Sequence, residues 1–198
     1  MAVAVVNSGG ANISSVLHAL KRLGTEPEFT ADAGVIRAAD RVILPGVGAA
    51  GRAMDTLRSH GLTEVIRKLT QPVLGICLGM QLLFDSSEED DAELLGLIPA
   101  RLECLPAEKG LRVPHMGWNA ISNTCSDPLT SRLDGQWFYF VHSYAAPVGD
   151  WTLSTSRHGQ TFSAIVRRDN FYGAQFHPER SAKAGAELLR GFLEAPSG

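Results

Sequence analysis

Uninterrupted apolar runs alternate with segments of helical spacing through the first half of the chain. Val3–Val6 is four small or β-branched apolar residues in succession and reads as a buried strand. Ile13, Val16, Leu17 and Leu20 then recur at helical intervals, with Asn12 at the N-cap position and Gly24 ending the helix. Residues 41–44 make a further strand, residues 50–68 read as helical with a break at Gly61, and residues 73–76 form another buried strand. Strand and helix in alternation predict a parallel sheet covered by helices.

From residue 96 to 176 the pattern changes to several strand-like segments, among them residues 137–144, separated by turn signals such as Gly149-Asp150 and His158-Gly159. These strands are expected to extend or flank the main sheet. A last amphipathic helix follows Ser181, with Ala186, Leu189 and Leu193 on its apolar side. The pattern contains no repeat, no low-complexity stretch and no linker, so residues 1–198 read as one α/β domain with antiparallel additions in its second half. Glu88-Glu89-Asp90-Asp91 reads most simply as a solvated loop.

The strand at 73–76 runs into Gly75-Ile76-Cys77-Leu78-Gly79-Met80-Gln81, after which helical spacing begins. This is the pattern of a nucleophile elbow. A sharp strand-to-helix turn lifts one side chain above the sheet, and small residues two before and two after it relieve the crowding. Gly75 and Gly79 fill those positions around Cys77. A cysteine at a helix N-terminus is placed to act as a thiolate on a carbonyl carbon.

Such a nucleophile needs a base, and the base needs an orienting group. Tyr172-Gly173-Ala174-Gln175-Phe176-His177-Pro178-Glu179 supplies both. Pro178 biases His177 towards extended backbone, and on an extended chain residues two apart share a face. Glu179 would then accept from one imidazole nitrogen of His177 while the other faces Cys77. Separately, a buried cysteine is most often an inert core thiol and a His-Pro pair most often a turn; together, the glycine frame and the His-Pro-Glu spacing favour a triad. The tetrahedral oxyanion of acyl transfer needs donors, each worth roughly 3–4 kcal/mol. The backbone N–H of Leu78 is one candidate, and the loop Gly46-Val47-Gly48 is the source of a second, although on its own it reads as a tight turn. Flanking glycines make the Val47 peptide easy to rotate, so this donor can be turned away at rest and inward on activation.

Gly-Ile-Cys-Leu-Gly-Met-Gln with a later Phe-His-Pro-Glu resembles the triad class of glutamine amidotransferases, which hydrolyse glutamine and pass ammonia to a partner site. Leu44-Pro45-Gly46-Val47-Gly48, Pro114-His115-Met116-Gly117-Trp118-Asn119, Tyr139-Phe140-Val141-His142-Ser143-Tyr144 and Phe176-His177-Pro178-Glu179-Arg180-Ser181 look like the glutaminase subunits of imidazole glycerol phosphate synthase, an enzyme of histidine biosynthesis. The resemblance covers nearly the whole chain. It implies a class I amidotransferase-like, flavodoxin-like three-layer fold, and a partner cyclase subunit with a (βα)₈ barrel. It places the α-amino and α-carboxyl groups of glutamine near Gln81, Ser143 and Tyr144, with Gly48 close by. Asn12, Trp118 and Tyr139 match segments that face the cyclase in this family, while Trp118 and Tyr139 read equally well as core aromatics. His115 and His142 lie in matching motifs and receive no role. The family pattern of Asp then Tyr before the first glycine-containing loop is replaced here by Asn7-Ser8, which removes a carboxylate near the expected interface.

Composition adds exclusions. The net charge of −3, with 44% hydrophobic and 20% charged residues, is that of an ordinary globular protein and gives no reason to expect nucleic acid or an anionic membrane as partner. The apolar stretches are too short to span a bilayer, and Met1 leads directly into a strand without a basic flank, so a cytoplasmic location is expected. Cys77, Cys104 and Cys125 stand at spacings that suit neither a disulfide framework nor a zinc site. No metal or organic cofactor is implied. Three rivals remain: a glutaminase subunit of another synthase, a free-standing cysteine hydrolase of peptides or γ-glutamyl substrates, and a module that kept the fold without activity.

Overall fold

The computed structural model describes residues 1–10, 13–107 and 111–195. Its main sheet has eight strands in the spatial order Pro27–Thr30, Val3–Val6, Arg41–Gly46, Val73–Cys77, Phe171–Ala174, Gln160–Arg168, Thr152–His158 and Ser122–Asn123. The first five run parallel to one another and the last three continue the sheet with antiparallel pairing. This is the α/β architecture expected, and the parallel half starts in the doubly wound order that puts ligands at the carboxyl ends of the strands.

The apolar runs are continuous because both faces of the sheet are covered. Val3, Val5, Ile43, Leu74 and Ile76 pack towards the helices Ile13–Arg22 and Ala182–Glu194 through Val16, Leu20, Leu188 and Phe192. Their neighbours Ala4, Val6, Val42, Leu44 and Val73 face the other way, against Ile36, Met54, Leu57 and Ile66. Period two along each strand divides the core into two layers. Burying each large side chain contributes about 1.5–3 kcal/mol, so the strand sequence specifies which faces must be covered.

Several elements differ in detail from expectation. Between Gly24 and Arg41 the chain forms a strand, Pro27–Thr30, and a short helix, Ala33–Ala38, which hydrophobic periodicity does not reveal. The strand lies at the sheet edge, and the helix is held by an N-cap, with the Asp32 carboxylate accepting from the N–H groups of Gly34 and Val35. Residues 50–68 are two helices, Ala50–Ser59 and Thr63–Arg67, separated at Gly61, whose φ of 66° is the left-handed value that ends a helix. In the last helix Leu189 and Leu193 are buried as expected, but Ala186 is half-exposed and the apolar stripe runs through Ala184, Gly185, Leu188 and Phe192.

Residues 137–144 are not one strand. Trp137–His142 pairs antiparallel with His115–Ala120 as a separate two-stranded ribbon. The chain then leaves that ribbon at Ser143, and Tyr144–Ala145 joins a four-stranded sheet by pairing with Ile98–Cys104. A change of sheet at this point turns the Ser143 and Tyr144 backbone towards the carboxyl ends of the parallel strands.

Candidate active site

Three neighbouring parallel strands end at one place, and each delivers one part of the site. Gly46 pairs with Cys77 across the first junction, and Ala174 pairs with Ile76 across the second, two residues before Phe176 and three before His177. Cys77 has φ 52° and ψ −109°, a backbone conformation that a side-chain-bearing residue adopts only when its surroundings enforce it. The glycines provide the room. A Cβ on Gly75 would lie 2.6 Å from Met80 N, and one on Gly79 would overlap the Leu44 carbonyl oxygen.

The helix after the elbow is a single turn, Leu78–Gln81, fully buried, because the chain is soon drawn into the strand Phe84–Ser87. The helical spacing read after Cys77 is thus realised as one turn only. One turn carries little macrodipole, so the electrostatic support for a thiolate comes mainly from the neighbouring imidazole.

That imidazole belongs to His177. Its backbone N–H donates to the Tyr139 carbonyl at 2.9 Å, and its Nδ1 lies 2.9 Å from Glu179 Oε1. Burial opposes a charge on the ring, yet hydrogen bonds to Cys77 and Glu179, and the charges of both, outweigh it and raise the pKa of His177 to about 10. The pairing arises differently from the extended geometry expected. His177 itself is extended, but Pro178–Arg180 forms a 3₁₀ turn, and this turn folds Glu179 back onto the ring. Among the described residues Glu179 Oε2 is buried without a hydrogen-bond partner.

Val47, Gly48, Cys77, Leu78, Gln81, Ser143, Tyr144 and His177 line one cavity of about 280 Å³, joined by Glu89, Pro114, Val141 and His142. Glu179 is not part of this lining; with His177 it borders a separate small pocket shared with Pro45, Gly46, Val47 and Ile76. A Cys-His-Glu arrangement opening on a cavity of this size suits covalent attack on a small carbonyl compound. A larger cavity, about 620 Å³, lies between the segment around Leu129 and the last helix, and holds none of the expected site residues. Trp118, Trp137 and Met116 are 50%, 58% and 64% exposed, so the outer face of the ribbon is apolar and open to solvent. Trp118 meets Tyr139 edge to face at 6.1 Å, and the Arg180 guanidinium lies 6.0 Å from the Tyr139 ring centre. Trp118 is therefore not a core aromatic, and Tyr139 is half-buried. Asn12, expected both as helix cap and at the interface, lies outside the described residues. Ser8, one of the departures from the family pattern, is buried and donates to the Pro45 carbonyl at 2.6 Å, fastening the strand end that precedes Val47.

Five cavity or near-cavity residues are not found by reading the sequence. Glu89 belongs to a run that looks solvated. Instead its carboxylate lines the cavity and accepts from Ala50 N–H at 2.8 Å, Glu88 accepts from Cys104 N–H at 2.7 Å, and Asp91 pairs with Arg101. Glu88, Asp90 and Asp91 are exposed, as expected of a solvated loop, and Glu89 is the half-buried member of the run; local charge density does not tell which acid turns inward. Val141 contributes its carbonyl, which accepts from Cys77 Sγ at 3.7 Å, and backbone roles leave no mark in side-chain chemistry. Pro114 lies at the cavity rim, and Gln175, two residues before His177, is fully buried. His142 sits in a family-like motif that assigns it no role. It is buried against His115, whose Nδ1 lies 3.0 Å from its Nε2, and burial, helped for His115 by His158, lowers their pKa values to about 3 and about 4 respectively. Among the described residues no cluster of three His, Cys, Asp or Glu side chains is arranged to hold a metal ion, and no helix is long and apolar enough to cross a membrane.

Comparison with known proteins adds a second line of argument. A family model described as glutamine amidotransferase class-I matches residues 4–195. Imidazole glycerol phosphate synthase subunit HisH of Idiomarina loihiensis is 52% identical over 194 residues, covering 98% of each chain. The HisH subunits of Xylella fastidiosa (strain Temecula1) and Escherichia coli (strain K12) are 50% and 49% identical, covering 97% and 98% of this chain and 96% and 100% of their own. A crystal structure of a glutamine amidotransferase superposes with a TM-score of 0.76 at 22% identity, covering 97% of both chains, and at such an identity the likeness speaks for the fold alone.

Proposed function

The chain belongs to the class-I glutamine amidotransferase family, among the HisH subunits of imidazole glycerol phosphate synthase, and we propose that it is the glutaminase that supplies such a synthase with ammonia. The single observation that carries the catalytic reading is the cavity-facing Cys77 beside an imidazole held by Glu179. Cys77 Sγ attacks the side-chain carboxamide carbon of glutamine, and the imidazolium of His177 gives its proton to the departing nitrogen, so that ammonia leaves. Water, deprotonated by His177, then hydrolyses the γ-glutamyl thioester and glutamate departs. Glu179 orients the ring and stabilises its charge.

Leu78 N–H and a donor from Val47 or Gly48 would hold the tetrahedral oxyanion. Gly48 has φ 101° and empty space where a side chain would be, which supports a loop that can turn its donor inward on activation. Gln81, Ser143 and Tyr144 would receive the α-amino and α-carboxyl groups, with the Glu89 carboxylate favouring the ammonium. In this reading one domain, residues 1–198, works in the cytoplasm without metal or organic cofactor. The exposed ribbon of Met116, Trp118 and Trp137 docks on a (βα)₈-barrel cyclase, which uses the ammonia to form imidazole glycerol phosphate and an aminoimidazole carboxamide ribotide.

Glutamate release from glutamine, by the purified chain alone and with a cognate cyclase plus its nucleotide ligand, tests the proposal. Low activity alone with strong stimulation in the complex is the expected result. Full activity without the partner would point to a free-standing hydrolase, and stimulation by the synthase subunit of another pathway to a different synthase.

A further inference from the structure

A buried chain of polar groups runs from the ribbon to the nucleophile. The Tyr144 carbonyl lies 2.9 Å from His142 Nδ1, and a carbonyl only accepts, so Nδ1 carries the hydrogen. The neutral ring then offers Nε2 as an acceptor, which fixes the hydrogen of His115 on Nδ1, 3.0 Å away. His115 Nε2 in turn accepts from Asn119 Nδ2 at 3.4 Å. The same Tyr144 carbonyl accepts from Gln81 Nε2 at 3.0 Å, whose other hydrogen goes to Gln175 Oε1 at 3.1 Å. Gln175 Nε2 donates to Cys77 Sγ at 3.8 Å, within the range of an N–H···S contact.

This assignment of hydrogens leaves one choice of amide orientation at each glutamine. Both hydrogens of Gln81 are committed, so the side chain offers the cavity its Oε1, an acceptor suited to an ammonium group. Gln175 is fully buried, and its backbone is fixed by donation to the Ala164 carbonyl at 2.9 Å. Its side chain bridges the group that would bind substrate and the atom that would attack it.

We propose that Gln175 is a positioning residue that holds the amide of Gln81 and the sulfur of Cys77 in register. The proposal rests on the glutaminase reading and extends it to a residue behind the cavity wall. Donation from Nε2 fixes the position of the sulfur. Acceptance at Oε1 keeps the Gln81 amide from turning over. The Asn119–His115–His142 chain holds the other end by saturating the Tyr144 carbonyl.

Gln175→Glu and Gln175→Met separate the two halves of this role. In Gln175→Glu the carboxylate still accepts from Gln81 but turns an oxygen towards the sulfur. With the cyclase present, kcat for glutamine falls about 100-fold while KM stays within about threefold, the loss expected for a misplaced reacting atom. Gln175→Met keeps the volume and removes both hydrogen bonds, so kcat falls and KM also rises about tenfold. In the isolated chain, alkylation of Cys77 by iodoacetamide, followed by peptide mass to set aside Cys104 and Cys125, slows about tenfold in Gln175→Glu. A packing role alone predicts the reverse order, with Met close to the parent and no split between kcat and KM.

Synthesis from added ammonium salts by the complex checks that each variant folds and docks. If Gln175→Glu fails that check, the Met variant and its KM decide. A kcat for Gln175→Glu within threefold of the parent, unchanged alkylation, or a Met variant with parental KM overturns the proposal. An unaltered chain that releases no glutamate with its cyclase overturns the glutaminase reading instead, while the alkylation rates still report on Gln175.

Discussion

His177 Nδ1 lies 2.9 Å from Glu179 Oε1, while Oε2 of the same carboxylate is buried and unpartnered among the described residues. A buried carboxylate with one bare oxygen is costly, and the ring beside it, charged, is what offsets that cost. Glu179→Gln removes the charge and can present an amide hydrogen to Nδ1, forcing the wrong tautomer. Turnover of glutamine in the complex is expected to fall about 10³- to 10⁴-fold with little change in KM, as when a triad carboxylate is replaced by its amide. Steady-state glutaminase assays of the complex measure this directly.

The raised pKa of His177 makes stability depend on pH. Its folded value, about 10, exceeds the ordinary 6.5, so the folded state holds this proton more tightly than the unfolded chain does. The stabilisation is full below about pH 6.5 and is lost as pH climbs through about 10. Urea midpoints measured from pH 6 to pH 10 are expected to fall across that window. Cys77→Ala, which removes the first of the raising partners, flattens the slope and abolishes glutamine-dependent synthesis, yet leaves synthesis from ammonium salts intact when the cyclase is present. A slope unchanged in Cys77→Ala counts against the imidazole–sulfur pairing.

At the elbow, Gly79→Ala sets a methyl group against the Leu44 carbonyl, which belongs to the neighbouring strand and has nowhere to move. A loss of about 3 kcal/mol or more, or no folded protein, is expected from overpacking of this kind. Gly24→Ala is the contrast: φ is 83° but no atom lies within 4 Å, so only backbone strain of about 1–2 kcal/mol applies. Equilibrium urea unfolding of both variants distinguishes the two causes.

On the ribbon, Trp118→Ala removes a half-exposed indole that touches Tyr139 but is not part of the core. The isolated chain is expected to keep its unfolding midpoint, whereas affinity for the cyclase drops about 30-fold or more, as for a central aromatic anchor. Calorimetric titration of the two subunits checks it, and an unaltered Kd removes Trp118 from the interface.

Much of this organisation is legible in the sequence because the chemistry demands unusual residues. Gly75 and Gly79 mark an elbow since any larger residue collides, and the continuous apolarity of Val3–Val6 and Val73–Cys77 announces strands covered on both sides. Other features leave weaker traces. The edge strand Pro27–Thr30 has exposed positions and hence no apolar signature. The departure of the chain from one sheet to another at Ser143 is set by tertiary pairing with Ile98–Cys104, which local pattern cannot encode. Gln175 and Glu89 are polar residues in unremarkable company, and only the groups that surround them in space reveal what their side chains hold.

Ser181 Oγ donates to the His177 carbonyl at 2.6 Å and accepts from Tyr139 N–H at 3.0 Å, while the Tyr139 carbonyl accepts from His177 N–H at 2.9 Å. These three bonds weld the His-Pro-Glu turn to Trp137–His142, the ribbon strand that carries exposed Trp137 and half-buried Tyr139. The two backbones are thus a single splint: Tyr139 cannot be displaced without breaking these bonds or carrying the His177 peptide with it.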